Sequence, residues 1–269
     1  MNRIRYYVAA ALAIAAFASV ASIASASPAV NGAVVVTRVF NDCPSSTVTP
    51  TNAYPASISV TDMNIDCLGF ANRHVWDFST DGGATAAAFA NNDQFSFCAT
   101  LVLDGTGGGE GGLSLQPWWA QYTDGQFMCN SRSGEIACFG GRLPFYSFTV
   151  NHGLTYVKGT PITLSIDYRP NGLSSASPAT ITYNITYNAI SYTSGPLAFD
   201  SGNTAEDPPH GLWGCLTPAW VGGYAMFYLP SDPTVTYNDS VVWSNICYEQ
   251  GPTAATPSSW GKVKAQYRQ

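Results

Sequence analysis

The chain has little charge and few of the residue types that enzymes commonly use for acid–base chemistry near neutral pH. Only 10% of its 269 residues are charged, and three are histidine. Residues 27–250 hold six of the 11 cations and all 17 acids, which gives that region a net charge of −11. A surface of this sign repels phosphate backbones and anionic lipid headgroups. The composition therefore predicts no nucleic-acid partner and no attraction to a membrane surface.

Helical periodicity and metal-binding spacings are also missing. Residues 27–250 contain no stretch of ten or more residues with a helical repeat, and no two cysteines have the C-x-x-C spacing. The Gly-rich stretch 104–112 is followed by a strand pattern, with no lysine nearby, so it predicts a flexible hairpin connection instead of a phosphate-binding loop. No cofactor is expected except calcium. Its candidate ligands in the loop 200–210 are Asp200, Asn203, Glu206 and Asp207, with a solvated acidic loop as the alternative.

The first 26 residues have the pattern of a secretory signal peptide. Arg3 and Arg5 precede an apolar run over 9–20, and Ala24-Ser25-Ala26 supplies small residues for cleavage. A retained membrane anchor is the alternative, and no other segment is long and apolar enough to cross a bilayer. We expect one β domain over 27–249, followed by a linker and short basic tail over 250–269. The protein is therefore predicted to be secreted, with retention at the cell surface through the tail as a further hypothesis.

The clearest structural signal is the stretch 161–188. Apolar and aromatic residues alternate with Thr, Ser, Asn and Asp over 162–168 and again over 181–187, and a turn-rich segment lies between them. This pattern predicts two antiparallel neighbouring strands with one buried face. Similar strand patterns occur at 33–40, 56–61, 73–78, 92–103, 113–122, 125–129, 135–139, 143–150, 189–194, 196–199, 221–229 and 234–248. Residues 41–55 are predicted to form a loop.

Seven cysteines in a secreted chain predict disulfides with at least one thiol left over. A two-residue turn at Ser133-Gly134 would place Cys129 opposite Cys138 in a closely spaced pair, so we predict a disulfide there. Cys43 with Cys67 is the second predicted pair. Free buried thiols are the alternative for both pairs, and the pairing of Cys98, Cys215 and Cys247 is left open.

The order of these patterns resembles that of a known superfamily. Between residues 95 and 199, an F-x-F strand, a Gly-rich connection, Trp-bearing strands and a late alternating pair resemble the concanavalin A-like lectin/glucanase superfamily. The resemblance implies an all-β jelly-roll sandwich of two antiparallel sheets. Its members include lectins, carbohydrate-binding modules, adhesion domains, glycoside hydrolases and polysaccharide lyases, so the fold does not choose a function.

Three kinds of functional site are compatible with such a β-sandwich. A glycan site would use an exposed aromatic ring beside amides and hydroxyls, and the candidates are Gln116, Trp118, Trp119 and Tyr122. A hydrolase would use Glu110 and Glu135, although the Glu-x-Asp-x-x-Glu strand of the related glucanases is missing. A lyase would use Gln116 with Arg142, Tyr146 and His152.

The sequence assigns no catalytic residue, because each of these acids, cations and histidines also fits a structural role in a turn. The leading hypothesis is a secreted, non-catalytic sandwich that binds extracellular carbohydrate or another surface partner. A glycoside hydrolase or lyase with a non-standard site, and a structural or adhesive surface protein, are the alternatives. The oligomeric state is left open.

Overall fold

Two antiparallel sheets of seven strands each form the protein in the computed structural model. The model describes residues 27–200, 213–214 and 218–251. The predicted signal peptide, most of the tail and the loop residues Asn203, Glu206, Asp207 and Cys215 lie outside these ranges. The all-β jelly-roll prediction is confirmed, with one short helix in addition. Within the described ranges, no helix is long and apolar enough to cross a membrane.

The first sheet, called sheet A, has the strand order β1-β4-β13-β6-β7-β8-β9. Its strands are β1 (Gly32–Asn41), β4 (Ala71–Ser79), β6 (Gly109–Pro117), β7 (Gln126–Asn130), β8 (Ile136–Phe139), β9 (Tyr146–Ser147) and β13 (Ala219–Tyr228). The helix α1 (Phe148–His152) follows β9 directly. Strands β4 and β6 are buried along their whole length, so both faces of sheet A are covered there.

The second sheet, called sheet B, has the strand order β12-β11-β10-β5-β14-β3-β2. Its strands are β2 (Thr47–Ala53), β3 (Ser57–Asn64), β5 (Phe95–Gly105), β10 (Ile162–Arg169), β11 (Thr180–Tyr187), β12 (Ile190–Ala198) and β14 (Tyr237–Gln250). The predicted pair is β10 and β11, in register from Ile162↔Tyr187 to Arg169↔Thr180. Burial alternates along both strands, as period-two patterning requires.

The main core lies between the two sheets and is strongly aromatic. Trp76 of sheet A and Trp243 of sheet B meet there at 6.1 Å in an edge-to-face contact. The Trp243 indole N–H donates to the backbone oxygen of Gly112. The same side of sheet A encloses a polar pair, His74 and Asp62, in which His74 Nε2 lies 3.1 Å from the Asp62 carboxylate. His74 Nδ1 also accepts the backbone N–H of Arg38. The side chains of His74 and Asp62 are fully buried.

Three local predictions are wrong. Residues 47–53 form the edge strand β2 instead of a loop, and Pro50 is tolerated there because an edge strand leaves one side of its backbone unpaired. The stretch 143–150 is not one strand, because Ser147 caps the N-terminus of α1 and accepts the Val150 N–H. The Gly-rich connection is not a hairpin, because β5 ends at Gly105 in sheet B and β6 begins at Gly109 in sheet A, so it crosses between the sheets.

The predicted Cys129–Cys138 disulfide is also wrong, and both thiols are free and buried. Cys129 pairs with Ile136, because the closing pair of the hairpin is Asn130 with Glu135, and four residues instead of two lie between them. The side-chain oxygen of Asn130 accepts the backbone N–H groups of Arg132 and Ser133, which favours this longer loop. The register therefore differs by two residues from the predicted one, and the two cysteines are no longer opposite each other.

Two disulfides are present among the described cysteines. One joins Cys43 to Cys67, with 5.5 Å between their Cα atoms. The other joins Cys98 of β5 to Cys247 of β14, which are register partners in sheet B. The first disulfide lies close to the edge of sheet A, where the chain leaves β1 and later enters β4.

Candidate functional site

The outer face of sheet A, which points away from the main core, holds a row of polar side chains. Arg73 of β4, Met226 of β13, Glu110 of β6 and Asn130 of β7 are consecutive register partners. Directly paired residues share one face of a sheet, so these four side chains lie side by side across four strands. Arg73 and Glu110 are 4% and 7% exposed. Such burial of charged groups needs a specific arrangement of partners.

Two tyrosines from β13 connect the members of this row. The hydroxyl of Tyr228 donates to Glu110 Oε2 at 3.0 Å and accepts the side-chain N–H of Asn130 at 3.0 Å. The hydroxyl of Tyr224 lies 3.2 Å from Gln126 Oε1 and 3.5 Å from Glu110 Oε1. Both oxygens of the Glu110 carboxyl group therefore have phenolic partners.

Burial shapes the protonation of this cluster. Loss of solvent raises the pKa of Glu110, and the hydrogen bond from Tyr228 and the charge of Arg73 only partly oppose that shift. Burial also raises the pKa of Tyr224 far above its ordinary value, and it raises the pKa of Tyr228 to about 12. The two phenols therefore stay protonated near neutral pH and act as hydrogen-bond donors, not as bases.

The Arg73 guanidinium lies above the ring of Tyr224, with its Cζ 4.2 Å from the ring centroid. Its Nε donates to the backbone oxygen of Tyr122 at 2.6 Å. The N–H of Tyr122 donates in turn to the Gln116 side-chain oxygen at 2.8 Å. These two bonds fasten the loop 118–125, which links β6 to β7, onto the outer face of sheet A.

A groove of about 250 Å³ opens beside this cluster. Its lining residues are Phe40, Phe70, Arg73, Thr123, Gln126 and Met226. The rings of Phe40 and Phe70 are 41% and 58% exposed, and they contact each other edge to face at 6.4 Å. Phe70 also packs against Tyr228 at 5.7 Å. The groove thus combines exposed aromatic rings with buried hydrogen-bonding groups.

The aromatic wall of the groove is fixed by the segment around the Cys43–Cys67 disulfide. The backbone N–H of Phe70 donates to the Asp42 carboxylate at 2.7 Å, and the N–H of Cys43 donates to the Asn72 side chain at 3.0 Å. Phe40 is the next-to-last residue of β1. Thr123 of the 118–125 loop also lines the groove.

The predicted glycan residues lie in the 118–125 loop or next to it, in different environments. Gln116 is fully buried and bonds Asp77, Ser114 and the loop, so its amide is used within the fold. Trp118 and Trp119 are in a turn after β6 instead of on a strand, and their rings meet edge to face at 5.9 Å. Trp118 is 44% exposed. Tyr122 packs against the outer-face residues Val75 and Tyr224 as part of one apolar cluster.

The two candidate acids lie in one row. The backbone N–H of Asn130 bonds the oxygen of Glu135, which continues the pairing of β7 with β8 and places Glu135 next to Asn130. Glu110 and Glu135 are therefore two strands apart, roughly 9 to 10 Å between Cα atoms. Glu110 is buried, whereas Glu135 is exposed. The charge of Glu135 adds to the raised pKa of Glu110, after burial as the main cause.

Among the predicted lyase residues, Tyr146 and His152 contact each other. The hydroxyl of Tyr146 lies 2.9 Å from His152 Nε2 at the edge of sheet A. Arg142 instead pairs with Asp200, one of the predicted calcium ligands. Within the described ranges, no group of three or more potential metal ligands is present. Calcium binding by the 200–210 loop stays a prediction, because its other three candidate ligands lie outside those ranges.

Sequence reasoning missed Arg73, Gln126, Tyr228 and the two phenylalanines. Arg73 was assigned to a strand, but its burial depends on coverage by the distant 118–125 loop. One signal was available: the run Arg73-His74-Val75-Trp76-Asp77 places charged residues on the face opposite to His74 and Trp76. A strand with charge on one face and aromatic rings on the other predicts a polar outer surface.

The fold and site define an all-β jelly-roll sandwich with an open, largely apolar groove on the outer face of one sheet. No protein-family profile matches the chain, and no curated protein is similar to it in sequence. Solved structures of similar fold include the alginate lyase from Corynebacterium sp., with a TM-score of 0.45, 10% identity, and coverage of 82% of this chain and 94% of that chain.

The alginate lyase from Klebsiella pneumoniae has a TM-score of 0.42 at 10% identity, covering 78% of this chain and 86% of that one. Lectin II from Ulex europaeus has a TM-score of 0.39 at 10% identity, covering 82% of this chain and 99% of that one. All three TM-scores are below 0.5. At this level of identity the similarity concerns strand arrangement and does not extend to activity.

Proposed function

We propose that the protein binds carbohydrate in the groove on the outer face of sheet A. The observation that carries the proposal is the pairing of two exposed rings, Phe40 and Phe70, with the hydroxyl of Thr123 and the amide of Gln126 in the lining of one groove. Sugar rings present apolar C–H faces and polar edges, so a binding site needs an aromatic surface next to directed hydrogen-bonding groups. An extracellular glycan is the expected ligand of a secreted, acidic, disulfide-bonded chain.

Several features support binding that is largely preformed. Tyr224, Tyr228 and Gln126 are held by hydrogen bonds within the fold, so little side-chain freedom is lost when a ligand enters. The disulfide Cys43–Cys67 limits movement of the segment that carries the aromatic wall.

The test is a glycan array probed with the wild-type protein and two aromatic variants. We expect Phe70→Ala to weaken glycan binding by roughly tenfold or more, because it removes the more exposed ring of the groove. Phe145→Ala is the matched control, since Phe145 is also highly exposed, at 69%, but does not line the groove. Failure of the wild-type protein to bind any glycan would sink the proposal.

A second candidate is inverting hydrolysis of a glycosidic bond. The specific observation in its favour is the row that places Glu110 and Glu135 on one face, two strands apart. In inverting glycosidases the carboxyl groups of the acid and the base lie roughly 6.5 to 9.5 Å apart, and the surroundings of the acid raise its pKa. Glu110 has the raised pKa of a general acid, and exposed Glu135 would activate water.

Release of reducing ends from soluble polysaccharides distinguishes the two functions. Under the hydrolase hypothesis, Glu110→Gln and Glu135→Gln each abolish release, while glycan binding persists in the Glu135 variant. Under the binding hypothesis, the wild-type protein releases no reducing ends from a polysaccharide that it binds.

A further inference from the structure

The disulfide between Cys98 and Cys247 differs from the other described disulfide in its exposure. Cys247 is exposed and Cys98 is half-buried, and both lie on the outer face of sheet B. Cys43 and Cys67 are 0% and 5% exposed, and they pack with Leu229 in a small cluster of their own. Exchange with an external thiol requires access to a sulfur atom, so exposed disulfides are the labile ones. Among the described cysteines, Cys247 is therefore the most accessible to a thiol in solution.

The strands around this disulfide decide which of its two sulfur atoms a thiolate can attack. The thiolate approaches from the side opposite the sulfur that leaves. Cys98 and Cys247 are register partners, so their bond runs across from β5 to β14. Beyond β5, the strand β10 places Ser165 directly beside Cys98 and obstructs attack from that side. Beyond β14, the pairing with β3 ends at Ser244↔Ser57, three residues before Cys247, so the approach to Cys247 is open.

The pairing of β5 with β14 does not depend on this disulfide. It extends from Asp239↔Gly105 to Gln250↔Phe95, on both sides of the two cysteines. When the disulfide opens, the thiol of Cys98 has an acceptor nearby, because its Sγ lies 3.7 Å from the backbone oxygen of Asn245. Exchange at this position can therefore take place without separating the two strands.

We propose that Cys247 is a thiol-exchange site, at which a low-molecular-weight thiol becomes attached as a mixed disulfide. The thiolate attacks Cys247 Sγ, a new S–S bond forms, and the bond to Cys98 breaks. Cys98 leaves as a thiolate and takes a proton from water. The attacking sulfur is oxidised and Cys98 is reduced, so no other oxidant is needed. The groove lies on the outer face of sheet A, so a group attached on the outer face of sheet B leaves it free.

The charges near the disulfide favour thiols without negative charge. Glu249 is exposed and lies two residues beyond Cys247 on the same face of β14. Asp167 continues the row of Glu249 across Ser96, whereas Arg169, the cation of β10, lies one step further from the disulfide. Acids at this position raise the energy of an approaching anion and lower that of a cation. The site therefore takes neutral or positively charged thiols.

The experiment treats the folded, full-length protein with three thiols that differ in charge, namely cysteamine, 2-mercaptoethanol and 2-mercaptoethanesulfonate. Short reaction times capture the mixed disulfide before a second thiol releases it. N-ethylmaleimide then traps the accessible thiols, and peptide mass spectrometry locates each adduct. We expect the reagent on Cys247 and maleimide on Cys98, with exchange at Cys43–Cys67 slower by roughly tenfold or more.

The influence of charge is measured from the rates of the same three reactions. Each rate is divided by the rate of that thiol with a small uncharged disulfide, which removes differences in intrinsic reactivity. These relative rates should fall by roughly threefold to tenfold from cysteamine to 2-mercaptoethanesulfonate at low salt. Glu249→Gln should reduce the difference. Asp104→Asn is the matched control, because Asp104 is an exposed acid on the same face of β5, six residues from Cys98.

Three results would each overturn the proposed site. They are no exchange in the folded protein, equal exchange rates at the two disulfides, and attachment of the reagent to Cys98 instead of Cys247. Tryptophan fluorescence of the product checks the fold, and a spectrum of unfolded protein would show that exchange requires unfolding, which also contradicts the proposal. Equal relative rates for the three thiols would overturn the assigned class of thiol.

Discussion

At the scale of single residues, Asp77 shows how the covered outer face of sheet A affects stability. Its carboxyl group accepts a hydrogen bond from Gln116 at 2.9 Å, and its second oxygen has no partner within the described ranges. Burial raises the pKa of Asp77 to about 7, with the Gln116 bond opposing part of that shift. The folded protein therefore holds this proton more tightly than the unfolded chain does.

The sign of the pH dependence follows from this raised pKa. Below about pH 4 both states are protonated at Asp77. Between about pH 4 and pH 7 the unfolded chain releases the proton while the folded protein keeps it, so the free energy of unfolding falls as pH rises. The loss reaches at most roughly 4 kcal/mol, from about 1.4 kcal/mol per pKa unit.

We therefore predict that Asp77→Asn flattens the decline in stability between pH 4 and pH 7. The amide keeps an acceptor for Gln116 but does not ionise. Urea unfolding at pH 4, 5.5 and 7 measures the free energy of unfolding of the wild type and of the variant. Other buried acids such as Asp239 contribute equally to both proteins, so they cancel when the two are subtracted. Equal slopes for both proteins would show that Asp77 is ionised in the folded state.

The candidate-site residues were only partly predictable at this scale. Glu110, Gln116 and Tyr122 were singled out because their residue types suit glycans or catalysis, and they lie in or beside the outer-face cluster. Phe40 and Phe70 were missed because no local pattern brings the end of β1 next to the start of β4. Their contact depends on antiparallel pairing across about 30 residues of chain and on the disulfide between Cys43 and Cys67.

At the scale of elements, strands with one buried face and one solvent-exposed face could be predicted from the sequence. Strands buried on both faces were harder to predict. Buried and less buried residues alternate along β10 and β11, because sheet B has one face toward the core and one toward solvent. The outer face of sheet B carries a row of hydroxyl side chains across six adjacent strands, and these residues are Ser191, Thr186, Thr163, Thr100, Ser244 and Ser57. β4 and β6 lack alternation because the 118–125 loop covers their second face.

The hairpin of β7 and β8 shows why register was harder to predict than strand existence. The sequence pattern predicts both strands. The side-chain oxygen of Asn130 accepts two backbone N–H groups that favour a longer loop, and the loop length sets which residues face each other. The consequence is chemical, because Cys129 and Cys138 stay reduced. Burial raises the pKa of both thiols, which keeps them in the unreactive protonated form.

We predict that Cys129 and Cys138 are alkylated by iodoacetamide only after the protein unfolds. Peptide mass spectrometry after treatment with and without guanidinium chloride measures this directly. The Cys98–Cys247 peptides should be recovered linked in both cases, which provides an internal control. Recovery of a peptide that links Cys129 to Cys138 would contradict the register given above.

At the scale of the whole molecule, the two sheets meet through large aromatic side chains that require glycine opposite them. A Cβ atom at Gly223 of β13 would lie 2.5 Å from the indole nitrogen of Trp76 and 2.8 Å from the backbone oxygen of Gly112. Trp76 in turn packs against Trp243 of sheet B. Close approach of the sheets therefore depends on the missing side chain at residue 223.

We predict that Gly223→Ala destabilises the protein by roughly 2 to 3 kcal/mol, because overpacking of a dense core forces backbone or ring displacement. Ala225→Gly is the matched control. It lies on the same strand and the same core face, and it removes a methyl group instead of adding one, so about 1 kcal/mol is expected. Urea unfolding followed by tryptophan fluorescence measures both. A Gly223→Ala variant as stable as the wild type would mean that the sheets can separate to accept a side chain, and the groove on the outer face of β13 would then be less rigid than proposed.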